Sequence, residues 1–176
     1  MLQFRLRRLL LLMLFWVSLP ALAEPVHEYE LKTAFLYNFI LFTQWPADST
    51  LQNSPYLNVC TIGPDPFGPV LEQLQGRKIG NKRLFLRREI GLDQARDCHL
   101  LYISANDPEN LARIREQLQD ASVLTVSDLN PASSERTIIN MSIDNNRLVF
   151  DIDMMAAKQA RLVMSSKLLR LARRVY

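Results

Sequence analysis

Three features of the sequence predict a single α/β domain built on a mainly parallel sheet. Apolar runs that read as strands alternate with helical segments, in the order strand, helix, strand, strand, helix, strand across residues 56–126. The steps Asp65-Pro66 and Asp107-Pro108 each follow a strand and suit a helix N-cap and first helical position. Beyond them, Thr137 to Ile143 and Arg147 to Ile152 flank Asp144-Asn145-Asn146, which adds a β-hairpin towards the C-terminus. Helices are expected on the faces, with an aromatic-rich helix at the N-terminal end and a long one at the C-terminal end.

The chain opens with Arg5, Arg7 and Arg8, a short apolar run from Leu9 to Val17, and Ala21-Leu22-Ala23. This is the layout of a cleavable secretory signal, with the cut between Ala23 and Glu24. Residues 1–23 are expected to be removed and 24–176 to form the domain. The apolar run is short for a membrane span. No cysteine stands at the new N-terminus, so no lipid anchor is expected there. The style of the signal points to a Gram-negative periplasm. Cleavage removes three arginines and no acid, so Lys+Arg falls from 21 to 18 against 18 Asp+Glu, and formal net charge drops from +3 to zero. The basic balance of the whole chain therefore argues for no nucleic-acid partner.

Glu28 to Pro46 reads as the first helix, stopped by Pro46. Leu31, Ala34, Phe35, Asn38, Leu41, Phe42 and Trp45 form one mostly apolar stripe, while Tyr29, Leu36, Tyr37, Phe39 and Ile40 lie largely off it. A helix apolar on nearly two sides is either buried on both or presents its second face for docking. Residues 47–55 are polar and turn-rich, a linker. Tyr56 to Ile62 reads as a buried strand, and Pro66 opens a helix reaching about Gln75, closed by Gly76. Arg83 to Arg88 alternates Leu84 and Leu86 with charged residues, as an edge strand would. Cys98 to Ile103 is a second buried strand, 107–119 a helix and Val123 to Val126 a third strand. Asp153 caps a last helix, about Met154 to Val175, with Ala157, Ala160, Met164, Leu168, Leu171 and Val175 along one stripe.

Chemistry-bearing constellations are absent. The exported chain has two histidines, His27 and His99, and carries no zinc-protease, nucleophile-elbow or phosphate-loop motif, so neither catalysis, a metal nor a cofactor is expected. Gly63 to Gly68 sits where a phosphate loop would, but Pro64 and Pro66 lack N–H donors and Asp65 would repel an anion. Ser104, Asp107, Ser127 and Asp128 lie at or near strand ends, where α/β folds place ligand sites; turn and cap duties account for them better. A small-ligand-binding module built on these four residues is the alternative function. Cys60 and Cys98 are compatible with a disulfide in an oxidising compartment, worth about 4 kcal/mol, or with two buried thiols. With no C-x-x-C motif, a thiol redox enzyme is the weakest fit.

Several separated motifs, taken in order, resemble the YfiR family of periplasmic regulators. They are Leu31 to Phe39 with Phe42 and Trp45-Pro46; Cys60 with Gly63 and Asp65-Pro66-Phe67-Gly68; Cys98 to Ser104; and Leu124 to Asp128. The last are Phe150-Asp151-Ile152-Asp153, Ala156-Ala157 and Ser165 to Leu169. The resemblance runs from about Tyr29 to Val175. It departs from the family pattern in having only the Cys60/Cys98 pair, where a second pair would fall in 129–139. Ser133 to Arg136 replaces a glycine-rich turn, and Asp151 and Asp153 stand where Glu and Asn are usual.

The resemblance implies a repressor that binds the periplasmic part of an inner-membrane diguanylate cyclase and lowers cyclic di-GMP. It implies sequestration by an outer-membrane lipoprotein of the OmpA/Pal type, a homodimer, and cysteines whose oxidation affects folding. The interface candidates are Tyr37, Phe39 and Ile40 on the first helix, Phe150 and Asp151 at the hairpin, and Arg161 and Lys167 on the last helix. Leu31, Phe35 and Phe42 are expected in the core.

Overall fold

The computed structural model describes residues 25–49, 53–104, 109–128 and 137–176. The signal cleavage point Ala23/Glu24, the cap at Asp107 and the 129–136 segment lie outside them. Helix α1 is Pro25–Leu41, followed by β1 (Thr43–Gln44), β2 (Tyr56–Ile62), a 3₁₀ helix (Gly68–Leu74), β3 (Lys78–Ile79) and β4 (Lys82–Arg87). A second 3₁₀ helix (Leu92–Asp97), β5 (Leu100–Ile103), α2 (Glu109–Gln117) and β6 (Leu124–Ser127) come next. The chain then forms β7 (Ile139–Asp144), β8 (Arg147–Ile152), α3 (Met154–Gln159), β9 (Val163–Met164), α4 (Ser166–Leu171) and β10 (Arg174–Val175).

The main sheet runs β10-β8-β7-β6-β5-β2-β4-β3. Its centre, β7-β6-β5-β2-β4, is parallel, and β3 and β8 join it antiparallel. This is the α/β domain with an added hairpin that the alternating apolar runs predict. All four residues of β5 are buried, as a central parallel strand requires. The hairpin turn holds Asn145 and Asn146 at φ +48 and +60, the left-handed pair that a two-residue turn favours in asparagine. β7 pairs with β6 only at Ile139 and Asn140, so the rest of the hairpin projects past the end of β6.

Four local expectations are corrected. Helix α1 stops at Leu41, because Thr43 and Gln44 pair with Met164 and Val163. The segment after Pro66 is a 3₁₀ helix with Pro69 in its first turn; Asp65 Oδ1 accepts the Phe67 N–H at 2.8 Å and closes a turn ahead of it. β4 is an interior strand, covered on its outer side by β3. The long C-terminal helix is two short ones. Arg161, at φ +56, ends α3 in the left-handed region, the Leu162 N–H turns back to the Ala157 carbonyl, and Ser165 caps α4 by accepting from the Leu168 N–H. Asp153 does cap α3, accepting from the Ala156 N–H.

The core has two parts, one on each side of the sheet. On one side Leu36, Phe39, Ile40, Tyr102, Val126, Met141, Phe150 and Ile152 pack together beneath α1. On the other, Cys60, Cys98, Leu101, Ile103, Leu111 and Ile114 pack beneath α2. Cys60 and Cys98 form a disulfide, with Cα atoms 6.0 Å apart and both side chains buried.

Candidate interaction surface

Helix α1 decides what the molecule presents. Its buried side is Lys32, Thr33, Leu36, Phe39 and Ile40. Its open side is Leu31, Ala34, Asn38 and Leu41, with Leu31 and Leu41 40% and 43% exposed, and the exposed Glu30 stands at its N-terminal edge. The sequence stripe through Leu31, Ala34, Asn38 and Leu41 therefore faces outward, the reverse of the expected direction. The core expectation for Leu31 is corrected, while Phe35 and Phe42 are half-buried against the core. Between Leu31 and Leu41 the one charged residue is Lys32, which is buried, so from Leu31 onward this open face carries no charge. The Asn38 amide is folded onto the helix, donating to the Ala34 carbonyl at 2.9 Å. Apolar surface left uncovered on a folded domain makes this face the candidate for interaction.

The orientation is held by a polar cluster on the buried side. Lys32 Nζ lies 2.7 Å from Asp128 Oδ2 and 2.6 Å from Glu28 Oε1, and 4.6 Å from the Tyr29 ring centre. Burial pulls the Lys32 ammonium down, but the hydrogen bonds to Asp128 and Glu28 outweigh it and leave the group raised above its ordinary value. Tyr29 and Tyr102 are both pushed up, first by burial. Phe67 fits between their rings at 5.3 and 4.7 Å. Lys32 thus ties α1 to the end of β6 by a charge that has no water to return to.

The other interface candidates separate into those at the surface and those beneath it. Phe39 and Ile40 are buried, as is Phe150, whose ring meets Phe39 and Phe35 at 5.0 and 5.7 Å. These three cannot be surface contacts of the folded chain. Tyr37 is half-buried; its hydroxyl donates to the Lys78 carbonyl and the Arg77 guanidinium lies 3.9 Å from its ring centre. Asp151 is buried and accepts from Arg173 Nε and Nη2 at 2.9 and 2.6 Å, a bidentate internal pair. Arg161 is exposed and pairs with Asp48 at 2.7 Å. Lys167 is exposed on α4. The signal that finds the open face of α1 is the absence of charge along it; periodicity alone does not say which way it points.

Of the four residues of the ligand-pocket alternative, Asp107 lies outside the described residues, while Ser127 ends β6 and Ser104 and Asp128 directly follow the paired strands β5 and β6. Ser127 Oγ lies 2.7 Å from Thr137 Oγ1 and donates to Asn140 Oδ1, and Asp128 is held by Lys32. Ser104 is buried, with its N–H on the Ile62 carbonyl. A cleft of about 470 Å³ opens instead on the α2 side, lined by Leu111, Leu118, Thr125, Thr137 and Ala160 among others. Among the described residues no group of three or more His, Cys, Asp or Glu is placed to hold a metal, and no helix is long and apolar enough to cross a membrane.

A family model described as YfiR/HmsC-like matches residues 29–173. No curated protein matches the chain. Among solved structures, a conserved domain protein from Vibrio cholerae superposes with a TM-score of 0.50 at 9% identity, over 84% of this chain. The chain spans 60% of that protein, and the likeness concerns the fold alone.

Proposed function

Since the chain belongs to the YfiR/HmsC-like family, we propose that it is a periplasmic negative regulator that binds the periplasmic part of an inner-membrane diguanylate cyclase and holds it inactive. Cyclic di-GMP, and with it biofilm formation, falls as a result, and motility changes with it. It acts by contact and not by catalysis. The observation that carries this reading is the open face of α1, where Leu31, Ala34, Asn38 and Leu41 are exposed with no charged side chain among them. Val163, exposed on β9 and paired with Gln44, adds apolar surface just past the helix end. A self-associated form and an outer-membrane OmpA/Pal-like lipoprotein that draws the regulator away from the cyclase complete the scheme. Export by the cleaved leader supplies the compartment.

Deleting the gene tests the reading. Cyclic di-GMP rises in the deletion strain and does not rise when the cyclase gene is also removed; an unchanged level in the single deletion contradicts it. A small-ligand module is the second reading, favoured by the α2-side cleft. A periplasmic metabolite that raises Tm, with the rise abolished by Ala160→Trp at the cleft wall, would support it.

A further inference from the structure

The charges of the exported chain balance in sum but not in space. Residues 77–88 hold six cations and no acid. Lys78 stands opposite Arg83 across β3–β4, and Tyr56 and Asn58 stand opposite Arg83 and Phe85 across β2–β4. Cross-strand partners share a face, so Lys78, Arg83, Phe85 and Tyr56 lie on one side of the sheet. Further along this side the 3₁₀ helix Leu92–Asp97 provides cover, and there Arg87 meets Gln94 and Asp97 at 2.9 and 3.4 Å. The corner itself is open. Tyr56 and Phe85 are 46% and 43% exposed, with ring centres 5.6 Å apart. Lys78 and Arg83 are exposed, and among the described residues neither has a carboxylate partner; Arg83 donates to the Gly76 carbonyl at 3.3 Å. Arg88, by contrast, is bound by Asp65 and Glu72.

We propose that this corner of the sheet docks the protein peripherally on an anionic phospholipid surface. Two aromatic rings beside long cationic stems match the boundary between lipid headgroups and acyl chains, where rings and stems bury and charges stay in water. Lys78 and Arg83 meet the negative surface, and Arg87 adds to the local potential. An acidic protein would answer the cations but would leave the ring pair without its natural medium. The patch lies on the α2 side of the sheet and α1 on the other, so lipid contact leaves the open face of α1 free.

Co-sedimentation of the exported chain with protein-free vesicles tests this independently of the regulator reading. Binding to phosphatidylglycerol vesicles is expected to exceed binding to phosphatidylcholine vesicles by at least about tenfold. It weakens as ionic strength rises from about 0.01 to about 0.1 M and the Debye length shrinks from about 30 to about 10 Å. Lys78→Glu with Arg83→Glu abolishes the preference for phosphatidylglycerol. Phe85→Ser weakens binding yet keeps the salt dependence, and an unchanged Tm verifies that each variant is folded. Equal binding to the two vesicle types, or a preference untouched by the double charge reversal, overturns the proposal. Capture by purified peptidoglycan with no vesicle binding overturns it in favour of a glycan.

Discussion

Phe39 and Phe150 meet edge to face with ring centres 5.0 Å apart, and this contact sets which side of α1 the molecule shows. Residue 41 lies across the helix from residue 39 and residue 31 about 80° round from it, so with Phe39 seated on the hairpin both Leu31 and Leu41 stay exposed. Packing and presentation are two consequences of one helix orientation.

Phe39→Ala is expected to destabilise the fold by about 3–5 kcal/mol, the usual loss for truncating a buried phenylalanine. Urea unfolding checks it. A loss under about 1 kcal/mol would mean that α1 is not seated on the hairpin.

Alkaline pH should unfold the protein before comparable domains lose stability. Lys32, Tyr29 and Tyr102 all have folded values raised above ordinary. A raised group stabilises fully below its unfolded value, about 10.4 for lysine and about 10 for tyrosine, and that stability is lost as pH climbs further. The urea midpoint is therefore expected to hold steady from about pH 7 to 9 and to fall above about pH 10. Lys32→Met lowers the midpoint at neutral pH by leaving Asp128 without its partner, and it flattens part of the alkaline fall. A midpoint that falls equally in both proteins contradicts the role given to Lys32.

The disulfide closes a loop with a sequence separation of 38, and its loss is expected to reduce stability by about 4 kcal/mol. Comparing Cys60→Ser with Cys98→Ser against the parent in urea measures it. Both sulfurs are buried, so thiol trapping after mild reductant should label neither cysteine until the chain is unfolded.

The parts of the fold that were legible in the sequence are those whose reasons are local. The four apolar residues of β5 announce a buried strand, Asn145-Asn146 announces a turn, and Asp153 announces a cap. The parts that were not legible depend on distant partners. Lys32 and Thr33 look like a solvent side until Asp128, 96 residues away, arrives to hold the ammonium. The apolar spacing of residues 154–175 reads as one helix because β9 owes its existence to β1. The open face of α1 is visible in the residue types; its direction is not, because a helix apolar on nearly two sides gives periodicity no preferred side.

If the open face of α1 is the contact surface, binding to the cyclase depends on it. The measurement is capture of the cyclase from solubilised membranes by the exported chain, wild type against Leu31→Glu with Leu41→Glu. Both positions are exposed, so the double variant should keep its stability to within about 0.5 kcal/mol. The wild type is expected to capture the cyclase and the stable double variant to lose it. Undiminished capture by the double variant would contradict it.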